Sequence, residues 1–163
     1  MFQQLKEKII SYIYNVSKQP VKFTTLLEAN QLFNEGMKLD GTILGFRLRL
    51  GRAYIVFLLL AHVMILPISL ILHELFAILD CHASILLAVF FTALLFGIFS
   101  FFKEWTRDAV AQQRIKNAWS LQFPYFPYDE YNNEINKIYE QSQKEDIQKK
   151  DLETYLMDKL ANI

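Results

Sequence analysis

Two long stretches without any charged side chain most constrain how this chain can fold. No Asp, Glu, Lys or Arg occurs from Ala53 to Leu72, or from Ala83 to Phe102. Each stretch of 20 residues would extend about 30 Å as an α-helix, which is the thickness of a bilayer's hydrocarbon core. The flanks are too small to cover two such helices in water, whereas in lipid each helix satisfies its own backbone hydrogen bonds. The pattern predicts two transmembrane helices.

The segment between the two stretches is short, so the helices should form a hairpin. The predicted fold class is an all-α membrane protein, with a two-helix transmembrane hairpin and short cytoplasmic helices on both flanks. The predicted regions are a cytoplasmic N-terminal helical region at 1–52, transmembrane helices at 53–79 and 83–102, a non-cytoplasmic turn at 80–82, and a cytoplasmic stalk and C-terminal helical region at 103–163.

Basic residues beside the two stretches predict the orientation. The positive-inside rule counts Lys and Arg close to the helix ends, and the segment from His73 to His82 has neither. The basic residues on the two flanks are Arg47, Arg49, Arg52, Lys103, Arg107, Arg114 and Lys116. Both termini are therefore expected in the cytoplasm and the tip of the hairpin on the opposite side.

The N-terminal flank is expected to contain two short helices. The first has an apolar face made by Phe2, Leu5, Ile9, Ile13 and Val16, and it ends before Pro20. A capping box formed by Thr25 and Glu28 is expected to begin the second helix, and Gly36 is expected to close it.

Residues 37–51 have two interpretations. Asp40-Gly41 is a turn signal, and Phe46 to Leu50 alternates apolar and basic residues as a strand does. A helix lying at the lipid headgroups is slightly favoured, because the first long apolar stretch follows directly.

The second apolar helix is expected to continue past Phe102 toward Trp119, until Pro124 and Pro127 forbid a helix. The aromatic segment 123–128 is predicted to be extended. Two further helices are predicted at 129–143 and 151–161, the second with Asp151 as its cap.

The tip of the hairpin contains four weak candidates for metal ligands: His73, Asp80, Cys81 and His82. Their spacing matches no established ligand pattern, and polar residues are expected where a chain leaves the membrane. We therefore assign neither a metal nor a cofactor. The single cysteine also excludes an internal disulfide. His62, inside the first apolar stretch, is expected to be neutral and hydrogen-bonded across a helix interface.

Two groups of residues are candidates for protein contacts. Small residues recur along the second apolar stretch and would allow helices to approach closely in lipid; they are Ser84, Ala88, Thr92, Ala93 and Gly97. The aromatic segment after it is predicted to dock a partner through Phe123, Tyr125, Phe126 and Tyr128.

The sequence has no nucleotide-binding glycine loop, no HExxH motif and no recognisable nucleophile context, so an enzyme is not expected. A formal net charge of zero gives no bias toward nucleic acid, and no small-molecule substrate is evident.

The expected function is that of a membrane-anchored adaptor, assembly factor or accessory subunit, which contacts the lipid bilayer and a protein partner or further copies of itself. The alternative is an oligomeric, ion-conducting pore with Glu74 and Asp80 at its mouth. Frequent Lys, Asn, Ile and Phe suggest an AT-rich bacterial genome and thus a multi-pass protein of the bacterial inner membrane.

Overall fold

The chain is predominantly helical in the computed structural model, which describes residues 2–72, 74 and 81–161. Helices make up 75% of it, which confirms the helical part of the predicted fold class. In order along the described residues, the elements are α1 (Phe2–Ile13), β1 (Tyr14–Val16), α2 (Phe23–Asn34), β2 (Phe46–Leu48), α3 (Leu50–Ile71), α4 (Cys81–Gln122), α5 (Tyr128–Lys144) and α6 (Leu152–Leu160).

The chain folds into two compact units. The first unit comprises Met1–Asn15 and Leu48–Arg107, and the second comprises Val16–Arg47 and Asp108–Ile163. The first unit therefore contains α1, α3 and most of α4, with α1 packed on α3. The second contains α2, the end of α4, α5 and α6, and there α5 packs against both α2 and α6. Helix α1 thus belongs with the apolar helices rather than with the rest of the N-terminal flank.

Two short strands replace parts of two predicted helices. Strands β1 and β2 pair in a two-stranded sheet. The slightly favoured helix at 37–51 is therefore wrong, and the alternating pattern from Phe46 correctly predicted a strand. Val16, predicted on the apolar face of the first helix, lies in β1. Tyr and Val are favoured in strands, and pairing with β2 gives their backbone the hydrogen bonds that another turn of α1 would have supplied.

Gly36 closes α2 as predicted. It has a φ of +69°, and its N–H donates to the Phe33 carbonyl while the N–H of Met37 donates to that of Leu32. This is the Schellman motif, whose left-handed residue is usually glycine. The predicted capping box is wrong: α2 begins at Phe23, and its N-cap, Lys22, makes no side-chain capping bond.

The long helices differ from the prediction mainly at their ends. Helix α3 ends at Ile71 with Pro67 inside it, whereas the first transmembrane helix was predicted to reach residue 79; residues 75–79 lie outside the described residues. Helix α4 continues without a break to Gln122, which confirms the predicted extension beyond the second apolar stretch. The predicted turn at 80–82 also falls partly outside the described residues.

The C-terminal helices α5 and α6 confirm the two predicted helices to within a few residues. Asp151 is the N-cap of α6, but its side chain makes no capping bond. The predicted extended conformation of 123–128 is wrong, because the chain turns there and the N–H of Phe126 donates to the Phe123 carbonyl.

Candidate interaction surfaces

The apolar helices α3 and α4 leave most of their side chains uncovered. Mean hydropathy reaches 2.5 in Leu50–Ile71 and 2.6 in His82–Gln122, and only 6% of the most apolar window of each helix is buried. The core helix of a water-soluble protein would be mostly buried. Both helices are long and apolar enough to cross a membrane.

Aromatic rings join α3 to α4 within the first unit. The ring of Phe57 lies 5.2 Å from that of Phe99 and 5.6 Å from that of Phe102, between centroids. Tyr54 meets Phe99 edge to face at 5.2 Å. Such pairs have the geometry that aromatic quadrupoles favour. They fix the two helices to each other near the start of α3.

The small residues of α4 lie on different surfaces. Ser84 and Ala88 line a hollow of about 540 Å³ between α3 and α4. Ala88 also borders a shallow hollow of about 390 Å³ that includes Thr92 and Ala93. Around Gly97 there is open space. The hydroxyl of Thr92 donates to the Ala88 carbonyl at 2.8 Å, so the helix itself satisfies this polar group.

Basic residues at the start of α3 hold β1 and the end of α1 in place. Arg52 lies 4.9 Å above the ring of Tyr12 and donates to the Tyr12 carbonyl at 3.4 Å. Arg49 donates to the Asn15 side chain at 3.2 Å. Sequence reasoning used these arginines only as markers of orientation. Their packing role depends on a partner more than 30 positions away, which no local pattern indicates.

His62 bonds within its own helix. Its Nδ1 lies 2.7 Å from the carbonyl oxygen of Leu58. A carbonyl can only accept, so Nδ1 carries the proton and Nε2 is an acceptor if the imidazole is neutral. Nδ1 thus bonds within the helix and not across a helix interface, because the carbonyl one turn earlier is within reach of the ring.

The core of the second unit is built around Trp119. Its indole N–H donates to the Phe126 carbonyl at 2.7 Å. Its ring centroid lies 4.7 Å from that of Phe123 and 5.1 Å from that of Tyr128. Trp119 and Phe123 are each 1% exposed. Phe123 is therefore an interior residue of this unit, although the sequence suggested it for docking.

The other residues predicted to dock a partner differ in exposure. Tyr125 is 87% exposed, and Leu121 at the end of α4 is 74% exposed. Phe126 and Tyr128 are half-buried. The accessible apolar surface of this segment is thus formed by Leu121 and Tyr125. Sequence reasoning missed Leu121 because, in the sequence, it looks like an ordinary apolar residue of the helix before the aromatic segment.

Lys116 ties the end of α4 to the start of α5. Its ammonium lies 2.6 Å from a carboxylate oxygen of Asp129 and 5.1 Å from the ring centroid of Tyr128. Burial, and then the charge of Asp129, raise the pKa of the Tyr128 phenol. Tyr128 therefore stays neutral at physiological pH and serves as a packing residue.

Arg114 fixes the loop before β2. Its Nε donates to the Leu44 carbonyl at 3.0 Å, and its Nη2 donates to the Gln19 carbonyl at 3.1 Å. The planar guanidinium suits two such acceptors at once. Arg114 is therefore a structural residue of the second unit.

The candidate metal and pore residues are only partly described. Glu74 and His82 are exposed, whereas His73, Asp80 and the side chain of Cys81 lie outside what the structure describes. Within residues 2–72, 74 and 81–161, no group of three or more metal-ligating side chains occurs. The metal candidates and the pore alternative stay predictions.

Known families, curated proteins and solved structures offer no match to this chain. A functional interpretation therefore depends on the physical chemistry of the surfaces described above.

Proposed function

We propose that the chain is a non-catalytic, membrane-anchored adaptor, assembly factor or accessory subunit, and that α3 and α4 cross a bilayer as a hairpin. One observation carries the proposal: each of the two helices contains a long apolar stretch, and only 6% of its most apolar window is buried. Exposed apolar surface on this scale is unfavourable in water. Lipid would remove that cost.

The proposed membrane is the bacterial inner membrane, with both termini in the cytoplasm. Lys and Arg near the outer ends of the two apolar stretches, and their absence from the connecting segment, support this orientation. Cys81 is the single cysteine and lies at the tip. A membrane-impermeant maleimide should label it from the periplasmic side of intact spheroplasts, and labelling from the cytoplasmic side alone would contradict the orientation.

The proposed partner is a protein that contacts the second unit at Leu121 and Tyr125. Both side chains are largely exposed beside a closed aromatic core. Rigid, exposed aromatic residues beside aliphatic ones are typical anchors of protein interfaces. Because the partner would bind a surface and not an active site, no chemistry is required of this chain.

Purification in a mild detergent, followed by mass spectrometry, tests the adaptor proposal. We expect a second protein in a fixed ratio, and we expect the variant Leu121→Ser/Tyr125→Ser to lose it at least tenfold. Asn133→Ala, at an exposed position of α5, serves as the matched control and should retain it. Recovery of the chain with no partner in fixed ratio, or equal recovery of the partner with both variants, would contradict the proposal.

A further inference from the structure

An apolar groove runs along one side of α3 and α4. Next to the contact of Phe57 with Phe102, a hollow of about 510 Å³ separates the helices. It shares Ile65, Leu95 and Ile98 with the hollow of about 540 Å³ that lies further along the pair. The two hollows are thus adjacent along the helix pair. Among the described residues that line the first hollow, Trp105 alone carries a side-chain N–H.

A positive charge lies at the Trp105 end of this groove. The Lys6 ammonium, on α1, is 5.6 Å from the ring centroid of Trp105. Trp105 is itself 47% exposed, so its ring is accessible from outside. A cation and an indole N–H at one end of an apolar groove complement a molecule that has an anionic head and a hydrocarbon tail.

The hollow that Trp105 lines matches one leaflet of a bilayer in length. Leu95 and Trp105 are ten residues apart on α4, which corresponds to about 15 Å along a helix. This is half of the roughly 30 Å hydrocarbon core. Tryptophan is enriched at the level of the headgroups, so a chain that starts beside Trp105 would reach the midplane near Leu95.

We propose that this groove binds one anionic phospholipid, with its phosphate at Lys6 and Trp105 and one acyl chain along Ile98 and Leu95. The proposal rests on the proposed membrane insertion of α3 and α4. Basic pockets beside transmembrane helices on the cytoplasmic side bind anionic headgroups in this way. The charge at one end favours a lipid over a helix of another protein, since an apolar helix would leave the Lys6 ammonium without a counter-charge.

The site is tested with the full chain in mild detergent, by native mass spectrometry during titration with phosphatidylglycerol or phosphatidylcholine. We expect one tightly bound phosphatidylglycerol per chain and weaker binding of phosphatidylcholine. Lys6→Gln should weaken phosphatidylglycerol binding about fivefold, the contribution of one basic residue near an anionic lipid. It should weaken phosphatidylcholine binding less, because the choline ammonium already offsets the charge of that lipid's phosphate. Lys6→Arg should retain binding. The control Lys8→Gln, at an exposed position of the same helix, should have no effect.

A second variant tests the groove itself. Ala61 lines the hollow, and Ala61→Phe should weaken the binding of both lipids because the larger side chain occupies the space of the acyl chain. Inorganic phosphate should not compete, since it has no chain. Equal binding of the two lipids, equal effects of Lys6→Gln and Lys8→Gln, or displacement by inorganic phosphate would overturn the proposal. Failure of the chain to partition into membranes would instead contradict the proposed function.

Discussion

The two units of this protein bury their apolar residues in different ways. In the second unit, Trp119 is 1% exposed and its indole N–H is hydrogen-bonded inside the unit. In the first unit, α3 and α4 meet through a few aromatic rings, and Val63 is 70% exposed. The second unit therefore completes a core from its own side chains, whereas the first leaves most of the apolar side chains of α3 exposed. Binding specificity is accordingly expected from the surface of the second unit and from the groove of the first.

The largest expected effect comes from removing the central residue of the closed core. Trp119→Ala should lower the free energy of unfolding of the second unit by about 3–5 kcal/mol, because it removes a large buried ring and leaves a cavity. Hydrogen exchange of the amides in α5 measures this as a loss of protection.

Trp105→Ala provides the matched control for that variant. Trp105 is half-exposed and lies in the first unit, so exchange in α5 should stay close to that of the unmodified protein. Equal loss of protection in the two variants would mean that the second unit does not have a core of its own.

A single charge in the first unit should have a somewhat smaller effect than Trp119→Ala. It should make membrane insertion less favourable. Val63 lies near the middle of the first uncharged stretch, and Val63→Lys should make insertion less favourable by about 3 kcal/mol. The fraction of protein that resists alkaline extraction from membranes measures the effect.

Leu121→Lys is the matched control, because Leu121 is equally apolar and similarly exposed but belongs to the second unit. Its membrane fraction should not change. If both lysine variants were extracted to the same extent, the distinction between a lipid-facing unit and a water-facing unit would be lost.

Local patterns in the sequence predicted most of the helical fold. The uncharged stretches predicted α3 and the first part of α4. The prolines after Gln122 predicted the end of α4, and Gly36 predicted the end of α2. In each of these cases the physical cause lies within a few neighbouring residues. Backbone preferences and continuous hydropathy need no knowledge of distant contacts.

Several features that sequence reasoning missed depend on distant residues. Strand β1 forms because β2 pairs with it, and Arg52 contacts the Tyr12 region 40 positions away. Phe123 looked like a docking residue because aromatic residues are common both in cores and at interfaces. Its burial is set by neighbours such as Trp119 and Phe23, and the position of Phe23 depends on the packing of α2.

A smaller effect is expected for the loop that Arg114 holds. Arg114→Met should destabilise this loop by about 2 kcal/mol, since it leaves the Leu44 and Gln19 carbonyls without a charged donor. Faster hydrogen exchange at residues 41–46 would show it. Gln113→Met, at the exposed neighbouring position, is the control. Unchanged exchange in the Arg114 variant would mean that the loop is held by its own turn alone.

The smallest effect concerns an exposed pair at the joint of α5 and α6. Hydrogen bonds from Gln141 and then from Tyr155 lower the pKa of the Glu145 carboxyl, and the Tyr155 hydroxyl lies 2.9 Å from it. A lowered folded-state pKa contributes stability above the unfolded-state pKa, and this contribution is lost as the pH falls through the folded-state value. Tyr155→Phe should therefore raise the pKa of Glu145 part of the way to its ordinary value, because the bond from Gln141 remains. Carboxyl carbon chemical shifts measured during an acid titration would detect the change, and an identical Glu145 titration curve in the variant would mean that the tyrosine bond does not persist in solution.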